Sequence, residues 1–261
     1  MMVYKSEGGS IYYKVSGPKD ARAIVLTHGA GLHSGMFDKQ VEALKSRFRV
    51  ITWDMPGHGQ SYKLEGELPV EKMSGIIIGI LDELSIKSAV VGGQSLGSWV
   101  AQHTAITCPE RVSGVVNISG TPIEKPTSKI AMYGFKAWLA ISRLLPIGPM
   151  FRFTAKSKAV TQQARDFALD SMVGIGKKQF LFIIAGMLTA EGIKVPHGAH
   201  KPMLITHGDH EMPKFVEKVC RQWHEATPSS SYFVIPNAGH NGNQDNPEAF
   251  NAALEQFLMS L

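Results

Sequence analysis

Cysteine is scarce in this chain, with only Cys108 and Cys220 among 261 residues. Two thiols so far apart exclude a disulfide framework and a cysteine metal knuckle, and both read as packed, reduced side chains remote from the motifs of the chain. No apolar run is long and charge-free enough to span a bilayer. The opening Met1-Met2-Val3-Tyr4-Lys5-Ser6-Glu7 lacks the basic and apolar regions of a secretory leader, so the expectation is a soluble, cytoplasmic protein. Internal repeats and low-complexity stretches are missing too. The basic surplus comes without an interleaved aromatic platform, so nucleic acid is not an expected partner.

The chain is 44% hydrophobic, enough at this length for one full core and a small insert. Strand-like apolar runs alternate with helical patterns, as in a mostly parallel sheet covered by helices. Residues 11–15 read as an antiparallel strand, 23–27, 48–53 and 112–118 as further strands, and 70–84 and 248–258 as covering helices. The alternation breaks over 122–201, which is helix-like throughout. That divides the chain into a core, 1–121 with 202–261, and a helical segment, 122–201. The segment holds twelve Lys and Arg against four acids, a surplus of eight, while the rest is net −3 in a chain of net +5. A cationic, apolar segment can attract anionic amphiphiles or rest weakly on an acidic membrane surface. A solvated face on ordinary helices explains the same charge.

The most informative stretch is Gly93-Gln94-Ser95-Leu96-Gly97, directly after the apolar run Ser88-Ala89-Val90-Val91-Gly92. A strand entering a serine flanked two positions away by glycines, followed by a helix, reads as a nucleophile elbow. The serine sits in a strained turn with its hydroxyl projecting above the sheet edge, and neighbouring chain passes too close for side chains at 93 and 97. The helix that follows points its positive end at the place where an oxyanion would develop. Taken alone, the same string also fits a strand-to-loop turn with an idle serine.

A serine needs a base, and the base needs an orienting acid. His240, in Pro236-Asn237-Ala238-Gly239-His240-Asn241-Gly242, lies on a glycine-bearing loop beyond the apolar run 232–235 and is the best placed of ten histidines. Between serine and histidine, Lys201-Pro202-Met203-Leu204-Ile205-Thr206-His207-Gly208-Asp209-His210-Glu211 supplies a strand, a glycine turn and two carboxylates. With these pieces in order, the chain resembles the α/β-hydrolase fold family from about residue 10 to its end.

That resemblance implies an eight-stranded, mostly parallel sheet flanked by helices, with a helical cap inserted after strand six, matching 122–201. It implies a triad in the order Ser95, acid, His240, with the acid at Glu211, three residues after Gly208. Aspartate is commoner there, and Asp209 stands as the alternative acid; both carboxylates could instead cap the helix beginning near Pro213. It implies an oxyanion hole from the N–H groups of Leu96 and Ala30, the latter following His28-Gly29, with His28 a structural residue beneath that loop. Asp54-Met55-Pro56-Gly57-His58-Gly59-Gln60-Ser61 resembles another family turn and carries no chemistry. The implied activity is a serine hydrolase acting on a small to medium, lipophilic acyl substrate, most simply a carboxylic ester. No cofactor is expected. Serine at the elbow sets the chain apart from related dehalogenases and epoxide hydrolases, which use aspartate. A thioesterase, a lipase, a carbon–carbon bond hydrolase, or a binding protein with negligible turnover shares the same residues.

Two rival readings use overlapping residues. Gly29-x-Gly31-x-x-x-Gly35 with Asp54 mimics a dinucleotide fingerprint, but its spacing is looser and it leaves Ser95, Glu211 and His240 unexplained. His207-x-x-His210 and His197-x-x-His200 mimic metal pairs, yet neither falls on a helix face, so no metal is expected. Met132, Phe135, Trp138 and Leu139 favour a lipophilic substrate if they face the site; at helical spacing they equally form a helix core.

Overall fold

Residues 23–27, 49–53, 89–94 and 203–208 are buried without a break, so these strands do not alternate between a wet and a dry face. Strands of that kind belong in a parallel sheet covered on both sides. The computed structural model describes residues 2–67, 69–123, 129–187, 201–212 and 214–261. Its first half runs β1 (Met2–Ser6), β2 (Gly9–Ser16), β3 (Ala23–Thr27), α1 (Asp38–Leu44), β4 (Arg49–Trp53), α2 (Val70–Glu83), β5 (Ala89–Gln94) and α3 (Leu96–Thr107). There follow β6 (Val112–Ile118), α4 (Lys129–Leu144), α5 (Ile147–Lys158) and α6 (Gln162–Gly186). The chain closes with β7 (Met203–Gly208), α7 (Phe215–Glu225), β8 (Ser230–Ile235), α8 (Gly242–Asp245) and α9 (Pro247–Met259).

Eight strands form one sheet in the order β1-β2-β4-β3-β5-β6-β7-β8. The pairs β1–β2 and β2–β4 are antiparallel, and every later pair is parallel. The period of two sends neighbours to opposite faces. Val25, Ile51 and Val91 join Ile77 and Ile80 of α2, Val100 of α3 and Trp223 of α7 on one side. Ile24, Val50 and Val90 join Leu44 of α1 and Phe250, Leu254 and Phe257 of α9 on the other. Phe250 and Leu254 are fully buried, each stabilising the fold by about 1.5–3 kcal/mol relative to exposure.

The expected alternation is present, and so is its interruption: α4, α5 and α6 lie between β6 and β7. Gly176 breaks α6 with φ 79°, ψ 164°, a conformation that disfavours any residue with a Cβ. Parts of the expected 122–201 segment, namely 124–128 and 188–200, lie outside the described residues, as do the side chains of Met132 and Phe135 and the pair His197 and His200. Leu139 is buried, and Trp138 is 39% exposed at the rim of a cavity. Among the described residues no helix is long and apolar enough to cross a membrane.

Candidate active site

Ser95 stands between β5 and α3 at φ 53°, ψ −113°, a backbone state that a serine adopts only where its surroundings force it. Two close approaches do the forcing. A Cβ on Gly93 would sit 2.1 Å from the Gly97 carbonyl, and one on Gly97 would sit 2.1 Å from the Thr27 carbonyl oxygen. The Ser95 N–H donates to the Ile118 carbonyl at 2.9 Å, tying the turn to the end of β6.

His240 and Glu211 arrive from the loops after β8 and β7. His240 Nδ1–H donates to Glu211 Oε1 at 2.5 Å, with Glu211 fully buried and His240 5% exposed. That bond leaves Nε2 unprotonated, and Nε2 is buried with no hydrogen-bond partner among the described residues. Ser95, His240 and Ala30 line one cavity of about 280 Å³. Burial pushes the Glu211 carboxyl up, but the His240 ring, the Ser119 hydroxyl and the Lys158 ammonium hold it below its ordinary value. Burial and then Lys158 push His240 down, with Glu211 opposing them.

Asp209 is placed differently. Its carboxylate accepts from Asn237 N at 2.9 Å, Ala238 N at 3.0 Å and His210 Nδ1 at 2.7 Å on a partly exposed surface. Slight burial is outweighed by these donors, and its pKa is lowered to about 2. It clasps the turn that leads to His240 and does not touch the ring. α7 begins at Phe215, and among the described residues neither carboxylate accepts from its first turn.

Leu96 follows Ser95 in the chain, and Ala30 lines the same cavity as Ser95. Leu96 opens α3, and Ala30 follows β3 in a loop held by two neutral imidazoles. Met55 N donates to His28 Nε2 at 2.9 Å, while His28 Nδ1–H donates to the Gly29 carbonyl. Gly31 N donates to His58 Nε2 at 3.0 Å, and His58 Nδ1–H donates to the Pro56 carbonyl. Burial lowers His28 to about 4, and burial together with His28 lowers His58 to about 3. The turn after β4 therefore buttresses the Ala30 loop. Asp54 accepts from Ser34 N and Gln60 N, so its carboxylate is engaged inside the protein. His207 donates through Nδ1 to the Gly208 carbonyl and accepts from Tyr232 through Nε2, whereas His210 is exposed beside Asp209.

Several contributors escape a reading of the sequence. Gln94, next to Ser95 in the Gly-x-Ser-x-Gly string, donates to the His240 carbonyl at 2.9 Å and ties the two loops together. Lys158, at the last residue of α5, lines the cavity with no motif around it. Cys220, remote in sequence, lies close behind Glu211: burial and then that carboxylate push its thiol up to about 12, which keeps it protonated and unreactive.

A family model described as alpha/beta hydrolase family matches residues 24–253. The chain belongs to that family. Similar proteins include 3-oxoadipate enol-lactonase 1 of Acinetobacter baylyi, 37% identical over 101 residues, a stretch covering 39% of this chain and 38% of that enzyme. The pimeloyl-acyl-carrier-protein methyl ester esterase of Yersinia enterocolitica is 27% identical over 95% of this chain and 96% of its own length. Among solved structures, a thermophilic esterase from Thermogutta terrifontis superposes with a TM-score of 0.85 over 99% of this chain and 98% of that one, at 21% identity.

Proposed function

We propose that this alpha/beta hydrolase cleaves a small to medium, lipophilic carboxylic ester through an acyl-enzyme. The observation that carries the reading is the His240–Glu211 bond, which leaves an unpartnered Nε2 buried at the cavity that also holds Ser95. Nε2 takes the Ser95 proton as the hydroxyl oxygen bonds to the carbonyl carbon. Glu211 holds the ring and stabilises the imidazolium; the N–H groups of Ala30 and Leu96 receive the oxyanion. Collapse expels the alcohol, which takes the proton from His240. Water, deprotonated by the same nitrogen, then releases the acid and restores Ser95. Leu32, Met172, Phe180 and Ile184 line the same cavity and suit an apolar chain, and α4–α6 serve as the cap over it. Relatives named for an enol-lactone and a methyl ester favour the ester over a thioester or carbon–carbon bond.

The test is covalent labelling by an organophosphonate together with turnover of p-nitrophenyl esters of graded acyl length. The expected result is a single adduct on Ser95 and hydrolysis that peaks at a medium chain. A protein that binds without turnover, the competing assignment, would show neither.

A pH profile supplies a second check. The base must be neutral, and two charged groups act on it: Lys158 disfavours protonation and Glu211 favours it, with burial deciding the sum downwards. The acid limb of kcat/KM therefore falls below pH 6.5, the ordinary histidine value, and the rate is flat through neutrality. A limb above pH 7 contradicts the assignment.

A further inference from the structure

Beside the proposed base, the cavity wall carries one more charged side chain. Lys158 ends α5, and the three residues of its turn that face the cavity are Thr154, Ser157 and Lys158 itself. The two hydroxyls are occupied, donating to the carbonyls of Met150 and Thr154 within the helix. The Lys158 ammonium is not: among the described residues it has no ion pair and no hydrogen bond, although it is partly buried. A cation in that setting loses hydration, and the one anion acting on it, Glu211, makes no ion pair with it and is bonded to His240 instead.

The main chain, and not the charge, holds Lys158 there. Asn241 N donates to the Lys158 carbonyl at 2.8 Å. Asp245 then accepts from Val160 N, Thr161 N and the Thr161 hydroxyl, and also from Gly239 N. The end of α5 is thereby clamped to both sides of His240, which fixes the root of the Lys158 side chain relative to the loop of the proposed base. The cavity lining also includes the apolar side chains of Leu32, Met172, Phe180 and Ile184.

From this placement we infer that Lys158 is a specificity residue that pairs with a carboxylate on the substrate, so that the ester hydrolysed carries one anionic end and an otherwise apolar chain. The inference rests on the proposed ester hydrolysis and narrows its substrate class. The basic surplus of residues 122–201 has the sign that attracts such an anion. Burial lowers the pKa of Lys158 while Glu211 opposes that shift, and a bound carboxylate would favour the protonated form further.

The experiment compares p-nitrophenyl hexanoate with the mono-p-nitrophenyl ester of adipic acid, equal in length and differing by a terminal carboxylate. On the parent protein, the ratio of kcat/KM, adipate ester over hexanoate ester, exceeds one. Lys158→Met lowers that ratio about 10- to 100-fold, chiefly through KM, and Lys158→Arg restores most of it. A ratio equal in parent and Lys158→Met overturns the inference while leaving the hydrolase assignment intact. Calorimetric binding of hexanoate reads the same contact without turnover. A Kd at least tenfold weaker in Lys158→Met supports the inference and an equal Kd rejects it, even if Ser95 proves inert. Should the variants fail to fold, hexanoate must bind the parent protein more tightly than hexanamide, and equal binding rejects the pairing.

Discussion

Ser95→Ala lowers kcat for p-nitrophenyl esters by about 10⁵- to 10⁶-fold while the protein still folds, the scale on which loss of a triad nucleophile acts. The effect is confined to chemistry because the elbow is held by main chain. The Ser95 N–H bond to Ile118 and the packing of Gly93 and Gly97 do not involve the hydroxyl. Alanine also shares serine's tolerance of φ 53°, so the thermal midpoint moves little. Residual rate over water is expected from the oxyanion donors and binding alone. Steady-state kinetics with circular dichroism decides the matter: near-full turnover by a folded Ser95→Ala protein removes the nucleophile assignment.

Glu211→Gln produces the next largest loss, about 10³- to 10⁴-fold in kcat, with substrate affinity little changed. Two causes combine. A carboxamide can donate to Nδ1 and so favour the tautomer whose Nε2 carries a proton and cannot accept one from Ser95. It also withdraws the negative charge that offsets the imidazolium in a buried site, where water does little screening. Asp209→Asn is the comparison. Its carboxylate clasps Asn237 and Ala238 on a partly exposed turn, so its loss should cost at least about a hundredfold less than Glu211→Gln. Equal losses, or the reverse order, would move the acid to Asp209.

Those two carboxylates mark the boundary of what was legible from residues alone. The elbow was readable because its requirement is local: a strained serine and two close approaches demand glycines at set spacings, and the clashes at 93 and 97 are the ones anticipated. The sheet was readable for a similar reason, since buried runs such as 23–27 and 89–94 leave few alternatives to a covered parallel strand. Asp209 and Glu211 both follow the glycine of one strand end, and only the family resemblance, with its acid three residues after the glycine, favoured Glu211. Depth separates them, since the chain turns inward at 211 and leaves 209 at the rim. Gln94, Lys158 and Cys220 were invisible for the same reason carried further. Their partners are 146 residues away for Gln94 and on other elements for the rest, and no period or spacing encodes such a meeting.

The Asp245 clasp ties α5 to the base. One carboxylate grips the chain on the far side of α5 and the peptide just before His240, so the helix cannot swing outward without dragging the imidazole from its post. Any movement of α5 is therefore felt by the loop that carries His240, and helix and base ride together as a fixed jamb.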